Sequence, residues 1–439
     1  MNDWKAVYRE KLCTPEEAVS LIRDGERVLV GGVAARPEAL IRALIKNASS
    51  YRGVRIMHGL SSGGEEYLKE QYKENFIHET LFVSASTRKA VNEGRAAVYP
   101  CYYYEIGSLL KDGDIPVDVF MFQASPPDEH GYCSCGLMAD FIREGIETAD
   151  RVLLQVNEKM PRNASMDTVI HVSEADRIVA CDEPMPSFPR TKITDIEKKI
   201  GENCASLVED GSTIQIGIGS IPDAVCEALK GKKNLGVHSE LISDGIMDLY
   251  RSGAITNSEK SREKRTMTAV FLMGTQELYD FADNNRALTL KSAAYVNGPF
   301  TIAKCSKLVS INTCIEADLM GQVVSGSSGL RNISGSGGQL DFVRGATMSL
   351  DRKGKAIIAM TSVHEKNGVR TSRIKPFITD GSSVTVTRQD AEYFVTEYGI
   401  ANVKGKTLKD RARAMIEIAH PDFRPELQAE YERRFKTPY

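Results

Sequence analysis

The chain repeats one pattern of turns and apolar stretches in its two halves. Ser20–Gly31 and Ser206–Gly217 each read as the end of a helix, an Asp-Gly turn and an apolar strand that closes on glycine. Further along, Asp118–Gly131 and Leu308–Gly321 each read as an apolar strand followed by Asp-x-x-Gly. The spacing between paired segments is nearly constant, which chance turns do not explain. The sequence therefore predicts two tandem homologous domains.

A proline-rich stretch separates the two copies. Asp182–Arg190 lacks hydrophobic periodicity, so we place the boundary near residue 192, with an N-terminal domain of residues 1–192 and a C-terminal domain of residues 193–439. Within each copy apolar strands alternate with helical stretches, which is typical of an α/β fold with mainly parallel sheets covered by helices. The predicted strands of the first copy include Arg27–Val30, Arg55–Met57, Val117–Phe122 and Arg151–Val156.

The composition is that of a folded protein whose partners are small molecules. The chain has 56 Lys and Arg against 59 Asp and Glu, a net charge of −3. The chain therefore lacks the surplus of basic residues that would predict binding to nucleic acid or to an anionic membrane. The N-terminus has no apolar core of a signal peptide, and no uncharged apolar run approaches the length of a bilayer-spanning helix. We expect a soluble, cytoplasmic protein.

The nine cysteines do not form a disulfide or metal pattern. They are odd in number and scattered, which is typical of reduced, buried thiols. The nearest approach to a metal cluster is His130 with Cys133 and Cys135, but no second ligand pair accompanies it. We expect the thiols of Cys133 and Cys135 to be buried beside a turn. For the protein as a whole we expect no metal and no permanently bound cofactor.

Glu240 is the first candidate for a catalytic residue. Ligands of open α/β sheets collect at the carboxyl ends of strands. Asn234–Glu240 reads as a short strand ending in a carboxylate, and the next helix is predicted to begin at Leu241. The matching strand of the first copy has Leu60 where the second has Glu240, so the carboxylate is present in one copy only. The alternative is that Glu240 caps the helix or pairs with a surface base.

Two glycine-rich loops accompany this carboxylate in the second copy. Gly217–Ile221 follows a strand and enters a helix, and the free N–H groups at such a helix start favour phosphate or another anion. Ser334–Ala346 contains four glycines, which let backbone approach a ligand and form an anion-binding nest. The alternative for the second loop is a flexible surface segment.

Several segments in order resemble the acetyl-CoA hydrolase and transferase family. They read GIGSIPDAV, GVHSELISDG, MGTQELYDF, INTCIEADLMGQVVSGS and SGSGGQLDFVRGA. The resemblance runs from DWKAVYREK near the start to VTEYGIANVKGKTLKDRARAMIEIAHPDF near the end. Within the family it is nearest to the 4-hydroxybutyrate CoA-transferase and butyryl-CoA:acetate CoA-transferase branch. It implies a fold of the CoA-transferase type.

The resemblance also implies a ping-pong transfer with coenzyme A thioester as a substrate. The glutamate of the family's HSE motif falls on Glu240, which would form an acyl-glutamyl anhydride and then a glutamyl-CoA thioester. Backbone N–H groups of Gly337 and Gly338 are the candidate oxyanion donors. The positions that match the family's coenzyme A contacts are Gly217, Ile218, Gly219, Ser220, Ile221, Ile315, Gly338 and Lys366.

The acyl pocket is expected in the first domain. The segments that match positions lining the cleft in relatives are Ser84–Arg88, Tyr102–Glu105 and Ser125–Asp128. Relatives often carry a polar residue such as His near Gly31–Val33, and phenylalanines with a His near Tyr103–Glu105. His130 stands where relatives commonly have Asn, and the alternative is that it is only a turn residue before Gly131. The acid is therefore left open among small carboxylates such as acetate, butyrate and 4-hydroxybutyrate.

Three other functions are weighed against transfer. An acyl-CoA hydrolase would use the same intermediate intercepted by water, and no residue type separates the two. A non-catalytic ligand-sensing protein on the same fold is opposed by the intact glutamate and both glycine loops. A sugar-phosphate isomerase would need a basic phosphate clamp that the sequence lacks. A homo-oligomer is implied by family analogy alone.

Overall fold

The computed structural model describes residues 3–163 and 165–439. The chain forms two compact units. One comprises the described residues up to Pro189 together with Thr268–Val296, and the other comprises Arg190–Met267 with Asn297–Tyr439. The break after Pro189 lies near the predicted boundary at residue 192. The predicted division into residues 1–192 and 193–439 does not include the return of Thr268–Val296 to the first unit. That these two segments are homologous domains stays a prediction.

The strands are numbered in chain order. Up to Pro189 the described strands are β1 (Arg27–Val30), β2 (Val54–His58), β3 (Phe76–Thr80), β4 (Ala96–Val98), β5 (Val119–Ala124), β6 (Tyr132–Ser134), β7 (Arg151–Val156), β8 (Val169–His171) and β9 (Arg177–Ala180). Beyond it they are β10 (Thr213–Ile216), β11 (Gly236–Ile242), β12 (Met267–Leu272), β13 (Leu288–Leu290), β14 (Leu308–Thr313), β15 (Glu316–Asp318), β16 (Val323–Val324), β17 (Ser327–Ser328), β18 (Arg331–Asn332), β19 (Lys355–Ala359), β20 (Val363–Lys366), β21 (Val369–Ser372), β22 (Ile374–Lys375), β23 (Tyr393–Thr396) and β24 (Gly399–Asn402).

Short helices connect these strands. In chain order the described α-helices are α1 (Trp4–Lys11), α2 (Pro15–Val19), α3 (Glu38–Lys46), α4 (Arg88–Asn92), α5 (Ile106–Lys111), α6 (Ile142–Thr148), α7 (Asp195–Ser206), α8 (Ser220–Ala228), α9 (Asp244–Arg251), α10 (Gln276–Ala282), α11 (Ala293–Val296), α12 (Pro299–Ala303), α13 (Gln339–Thr347), α14 (Leu408–Glu417) and α15 (Arg424–Phe435). Among the described residues no helix is long and apolar enough to cross a membrane.

Each unit is built on a mainly parallel sheet. The first unit has the strand order β4-β3-β2-β1-β5-β7-β9, and the strands of the second unit include the run β11-β10-β14-β19-β23-β24. In that second run only the pairing of β24 with β23 is antiparallel. The predicted α/β fold with mainly parallel sheets covered by helices is confirmed. The order β2-β1-β5-β7-β9 matches β11-β10-β14-β19-β23, as expected for a repeated fold.

One face of the first unit's sheet packs against helix α3. Leu40 and Leu44 of α3 are buried against Val28 and Val30 of β1 and further apolar residues of β2, β5 and β7. Burial of each such leucine stabilises the fold by roughly 1.5–3 kcal/mol. The apolar face follows from the i, i+4 spacing of the two leucines, which places them on one side of the helix.

The Asp-Gly turns have the same geometry in both copies. Gly25 and Gly211 have φ angles of 75° and 73°, in the left-handed region that favours glycine. The aspartate before each glycine accepts a backbone N–H, from Arg52 at 2.8 Å in the first copy and from Lys233 at 2.9 Å in the second. The sequence pattern that revealed the repeat therefore corresponds to one turn built twice.

Strand limits are predicted to within about two residues. β1 and β7 have their predicted bounds, whereas β5 begins at Val119 rather than Val117. The helix that follows the predicted boundary begins at Asp195, and Thr194 and Glu197 form a capping box at its start.

The cysteine cluster has the environment expected of core thiols. Cys133 and Cys135 are buried, and burial raises the pKa of the Cys133 thiol to about 12. The side chain of His130 is largely exposed. Over residues 3–163 and 165–439, no three His, Cys, Asp or Glu side chains are grouped so that they could hold a metal ion.

Candidate active site

Glu240 lies in β11, at the carboxyl end of the second unit's parallel strands. β10 pairs in parallel with both β11 and β14, so the loops that follow these three strands begin at one edge of the sheet. The predicted end of the strand at Glu240 is wrong, because β11 continues to Ile242 and α9 begins at Asp244. Leu241 and Ile242 are buried and extend the strand.

One oxygen of the Glu240 carboxylate is held by two donors. The side-chain Nδ2 of Asn297 donates to Oε2 at 2.7 Å, and the backbone N–H of Gly338 donates to the same oxygen at 2.8 Å. Within the described part of the chain no hydrogen bond reaches Oε1. Glu240 as a whole is partly buried. Oε2 is therefore fixed by two hydrogen bonds, whereas Oε1 accepts none from the described residues.

The environment of Glu240 shifts its acidity. Burial raises the pKa of Glu240 above its ordinary value, because the charged form loses solvation. The hydrogen bonds from Asn297 and Gly338 favour the charged form and act in the opposite direction. Burial and the two hydrogen bonds thus act in opposite directions on the charged form of Glu240, and burial has the larger effect.

Gly338 is required by close approach. A Cβ added there would come closer than 3.0 Å to both the Asn297 amide nitrogen and Glu240 Oε2, distances that real Cβ atoms essentially never show. The preceding Gly337 has φ 52°, a left-handed turn that directs the chain into α13. The predicted glycine-rich loop therefore brings backbone against the carboxylate. The oxyanion role of Gly337 and Gly338 stays a prediction.

The loop Gly217–Ile221 begins beside the strand that carries Glu240. The hydroxyl of Ser239 donates to the Ile216 carbonyl at 3.3 Å, joining the end of β10 to β11. Gly219 has φ 117° and is followed by α8, which begins at Ser220. The space around the missing Cβ of Gly219 is open, so glycine is needed there for its φ angle. The loop enters a helix start, as expected, and its anion-binding role stays a prediction.

The remaining predicted coenzyme A contacts lie in two places. Ile315 is partly buried in the turn between β14 and β15, where its N–H donates to the Val324 carbonyl at 2.8 Å. Lys366 is exposed on the β20–β21 hairpin. The geometry thus brings Glu240 and Gly338 into direct contact, places the Gly217–Ile221 loop after the neighbouring strand, and gives Lys366 no contact with the carboxylate among the described residues.

The segments predicted to line the acyl pocket belong to the first unit. Ser84 and Thr87 form a turn in which the Ser84 N–H donates to the Thr87 hydroxyl at 2.9 Å. The rings of Tyr102 and Tyr104 stack with centroids 5.7 Å apart. Asp128 accepts backbone N–H groups in its Asp-x-x-Gly turn. Each segment is ordered by local contacts, and its acyl-binding role stays a prediction.

The sheet register changes the comparison between the two copies. The pairings of β1 with β2 and of β10 with β11 place Ile56 and Val237 at equivalent positions. Three residues further along, Gly59 matches Glu240, and the match to Leu60 is wrong by one residue. A carboxylate is still absent from the equivalent position of the first copy.

Asn297 is the site residue that sequence analysis missed. It is fully buried, and its Oδ1 has no hydrogen-bond partner among the described atoms. The sequence offers one weak signal, an Asn directly before Gly298 and Pro299, which marks a turn rather than a catalytic group. The residue lies 57 positions from Glu240 along the chain, and only folding brings the two together.

Comparison with known proteins places the chain among acyl-CoA enzymes. Residues 1–189 match the model for the acetyl-CoA hydrolase/transferase N-terminal domain, and residues 274–431 match that for its C-terminal domain. The 4-hydroxybutyrate coenzyme A transferase of Clostridium kluyveri is 49% identical over 433 residues, covering 99% of this chain and 100% of the relative. The butyryl-CoA:acetate CoA-transferase of Anaerostipes caccae is 35% identical, covering 97% and 96%.

A solved structure agrees with these relatives. The 4-hydroxybutyrate CoA-transferase of Porphyromonas gingivalis superimposes with a TM-score of 0.85 at 35% identity, over 99% of this chain and 100% of that one. A more distant relative, the acetyl-CoA hydrolase of Kluyveromyces lactis, is 26% identical over 481 residues.

Proposed function

The chain belongs to the acetyl-CoA hydrolase/transferase family, and we propose that it is a CoA-transferase that moves coenzyme A between a short-chain acyl-CoA and a free carboxylate. The observation that carries the proposal is the Glu240 carboxylate, with Oε2 held by two donors and Oε1 unbonded among the described residues. The names of the relatives support acetate, butyrate and 4-hydroxybutyrate as the first acids to test.

The first half of the proposed reaction uses Oε1 of Glu240, the carboxylate oxygen that accepts no hydrogen bond from the described residues. Glu240 Oε1 attacks the acyl carbonyl carbon, the C–S bond breaks, and coenzyme A leaves as a thiolate. The product is an acyl-glutamyl anhydride. The thiolate then attacks Cδ of Glu240, the acyl carboxylate departs, and a glutamyl-CoA thioester remains. An incoming acid reverses both steps, so the thioester's energy is conserved.

The two donors suit the second step. When the thiolate attacks Cδ, negative charge develops on Oε2, because Oε1 is the bridging oxygen of the anhydride. Asn297 Nδ2 and the Gly338 N–H already lie on Oε2, at 2.7 and 2.8 Å. Preorganised donors at the oxygen that gains charge lower the barrier without reorganisation. This assigns Gly338 to the oxyanion that forms on the enzyme's own carboxylate.

Transfer and hydrolysis differ in their response to a second acid. We expect that adding acetate to enzyme and butyryl-CoA raises the rate of butyryl-CoA loss and yields acetyl-CoA in equal amount, because a transferase shields its anhydride and thioester from water. Chromatography of the acyl-CoA pool measures both quantities. Equal loss with and without acetate, and no acetyl-CoA, would instead support an acyl-CoA hydrolase.

Replacing Asn297 by leucine is expected to lower kcat by about 10²- to 10³-fold, the usual effect of removing one oxyanion donor. The leucine keeps most of the buried volume. Glu240 acts only when deprotonated, so activity falls as pH falls through its pKa, which burial has raised. Losing the Asn297 donor raises that pKa further, and the acidic limb of kcat/KM moves to higher pH.

The matched control for this variant is Asn203→Leu. Asn203 lies in α7 and donates to the Thr396 carbonyl at 2.9 Å, with no contact to Glu240. The control should retain the wild-type acidic limb. If Asn297→Leu kept the acidic limb of kcat/KM at the wild-type pH, with kcat near that of the wild type, Asn297 would have no role in the mechanism.

A further inference from the structure

The segment that presents Gly338 to Glu240 is rich in glycine and has few hydrogen bonds of its own. Before it, the N–H of Ser334 donates to the Gly326 carbonyl at 3.1 Å. Between that bond and Gly338 the chain reads Gly335-Ser-Gly, with no regular secondary structure. Glycines impose little conformational restriction. The N–H of Gln339 donates to the Ser336 carbonyl at 3.3 Å, so the first residue of α13 also holds the turn that contains Gly338.

Gln339 is the residue that fixes the start of α13. Its side chain is buried, at 6% exposure, and its Nε2 donates to the Thr313 carbonyl at 2.9 Å. Thr313 is the last residue of β14, which lies between β10 and β19 in the sheet. The bond therefore ties the first residue of the helix to an interior strand. Gly338 is its direct neighbour in the chain.

We propose that Gln339 is a positioning residue for the transfer reaction, which holds the Gly338 N–H on Glu240 Oε2 by anchoring the first turn of α13 to β14. The inference rests on the proposed function. A hydrogen bond weakens steeply once its angle falls below about 120°, so a rotation of the Gly338 peptide beyond that range would lose the contact at 2.8 Å. Site geometry of this kind needs a supporting contact behind it.

The structure also indicates that Gln339 can be replaced without unfolding the unit. Its Oε1 is buried and has no hydrogen-bond partner among the described atoms. A methionine of similar length removes the Thr313 bond and leaves no other buried group without its partner. Thr313 itself is exposed, so water can replace the lost donor at its carbonyl. Packing is then largely retained, and effects on catalysis are separable from effects on folding.

The test compares Gln339→Met with Gln322→Met. Gln322 lies in the same unit and donates to Asp318 Oδ2 at 2.7 Å, in a turn that has no contact with Glu240. We expect Gln339→Met to lower kcat about 10- to 100-fold while KM for acyl-CoA stays within about threefold. Its acidic limb should move to higher pH, because Glu240 loses a donor that favours its charged form. Gln322→Met should change neither quantity.

A second variant, Gln339→Glu, separates the positioning role of Gln339 from a general loss of folded protein. In Gln339→Glu the carboxylate cannot donate to the Thr313 carbonyl, and its charge raises the pKa of Glu240, so both the fall in kcat and the shift of the limb should exceed those of Gln339→Met. Rates are expressed per enzyme that forms the glutamyl-CoA adduct. A Gln339→Met enzyme with kcat within threefold of the wild type and an unmoved limb would overturn the positioning role. Failure of wild-type enzyme to form the adduct would instead count against the proposed function.

Discussion

Replacing Glu240 by glutamine is expected to lower kcat for acyl transfer by about 10⁴-fold or more, since removal of a nucleophile eliminates the covalent route. Glutamine has nearly the same shape and can still accept the hydrogen bonds of Asn297 and Gly338 through its carbonyl oxygen. The fold should therefore persist, with a melting temperature close to that of the wild type. The measurement is exchange of coenzyme A between butyryl-CoA and acetate.

A matched substitution separates chemistry from charge. Glu202 is exposed on α7, and Glu202→Gln removes the same charge from the same unit without touching the site. That control should transfer at the wild-type rate. If Glu240→Gln retained a tenth or more of wild-type exchange, with trace wild-type contamination excluded by mass, Glu240 would not be the nucleophile.

Replacing Gly338 by alanine is expected to lower kcat by about 10²- to 10³-fold. The added methyl group would overlap both the Asn297 amide nitrogen and Glu240 Oε2, so the carboxylate and its two donors must separate. The site then loses the arrangement that stabilises charge on Oε2. Steady-state kinetics with acyl-CoA as the varied substrate measure the loss in kcat.

The control for this variant is Gly231→Ala. Gly231 ends a short 3-10 helix in the same unit, and an added Cβ there would meet no atom within 4 Å. It should leave kcat and stability near wild type. A Gly338→Ala enzyme with kcat within threefold of the wild type would show that the close approach at Gly338 is not needed for the reaction.

The sequence predicts the framework well because turns and strands are local. The left-handed glycines at 25 and 211 and the buried strands β1 and β7 follow from a few neighbouring residues each. Strand ends are less certain, since they depend on packing with neighbouring strands. β11 continues past Glu240 because Leu241 and Ile242 find buried positions, which no local signal shows.

The site is predictable only where its residues carry a signal of their own. Glu240 and Gly338 stand in a strand-end motif and a glycine-rich loop, and the structure brings them within hydrogen-bond distance, at 2.8 Å. Asn297 and Gln339 are ordinary polar residues in sequence. Their importance comes from burial and from partners far along the chain, at Glu240 and Thr313. Tertiary contacts of this kind cannot be read from spacing.

The division of the chain shows the same limit. The proline-rich stretch between the two copies predicts a boundary near residue 192, and the structure has a break after Pro189. The return of Thr268–Val296 to the first unit depends on contacts with distant residues, such as the bond from the Ala293 N–H to the Asp140 carbonyl at 2.8 Å. Such a return leaves no mark in composition or turn pattern.

The covalent intermediate on Glu240 is tested most directly by mapping it. Enzyme is incubated with acyl-CoA in the absence of acceptor acid, one portion is treated with borohydride, and the digested peptides are identified by mass spectrometry. The peptide that contains Glu240 should carry coenzyme A in the untreated portion and an alcohol in place of that carboxylate in the reduced portion. An unmodified Glu240 in enzyme that is actively exchanging acyl groups, or an adduct on another residue, would contradict the proposed mechanism.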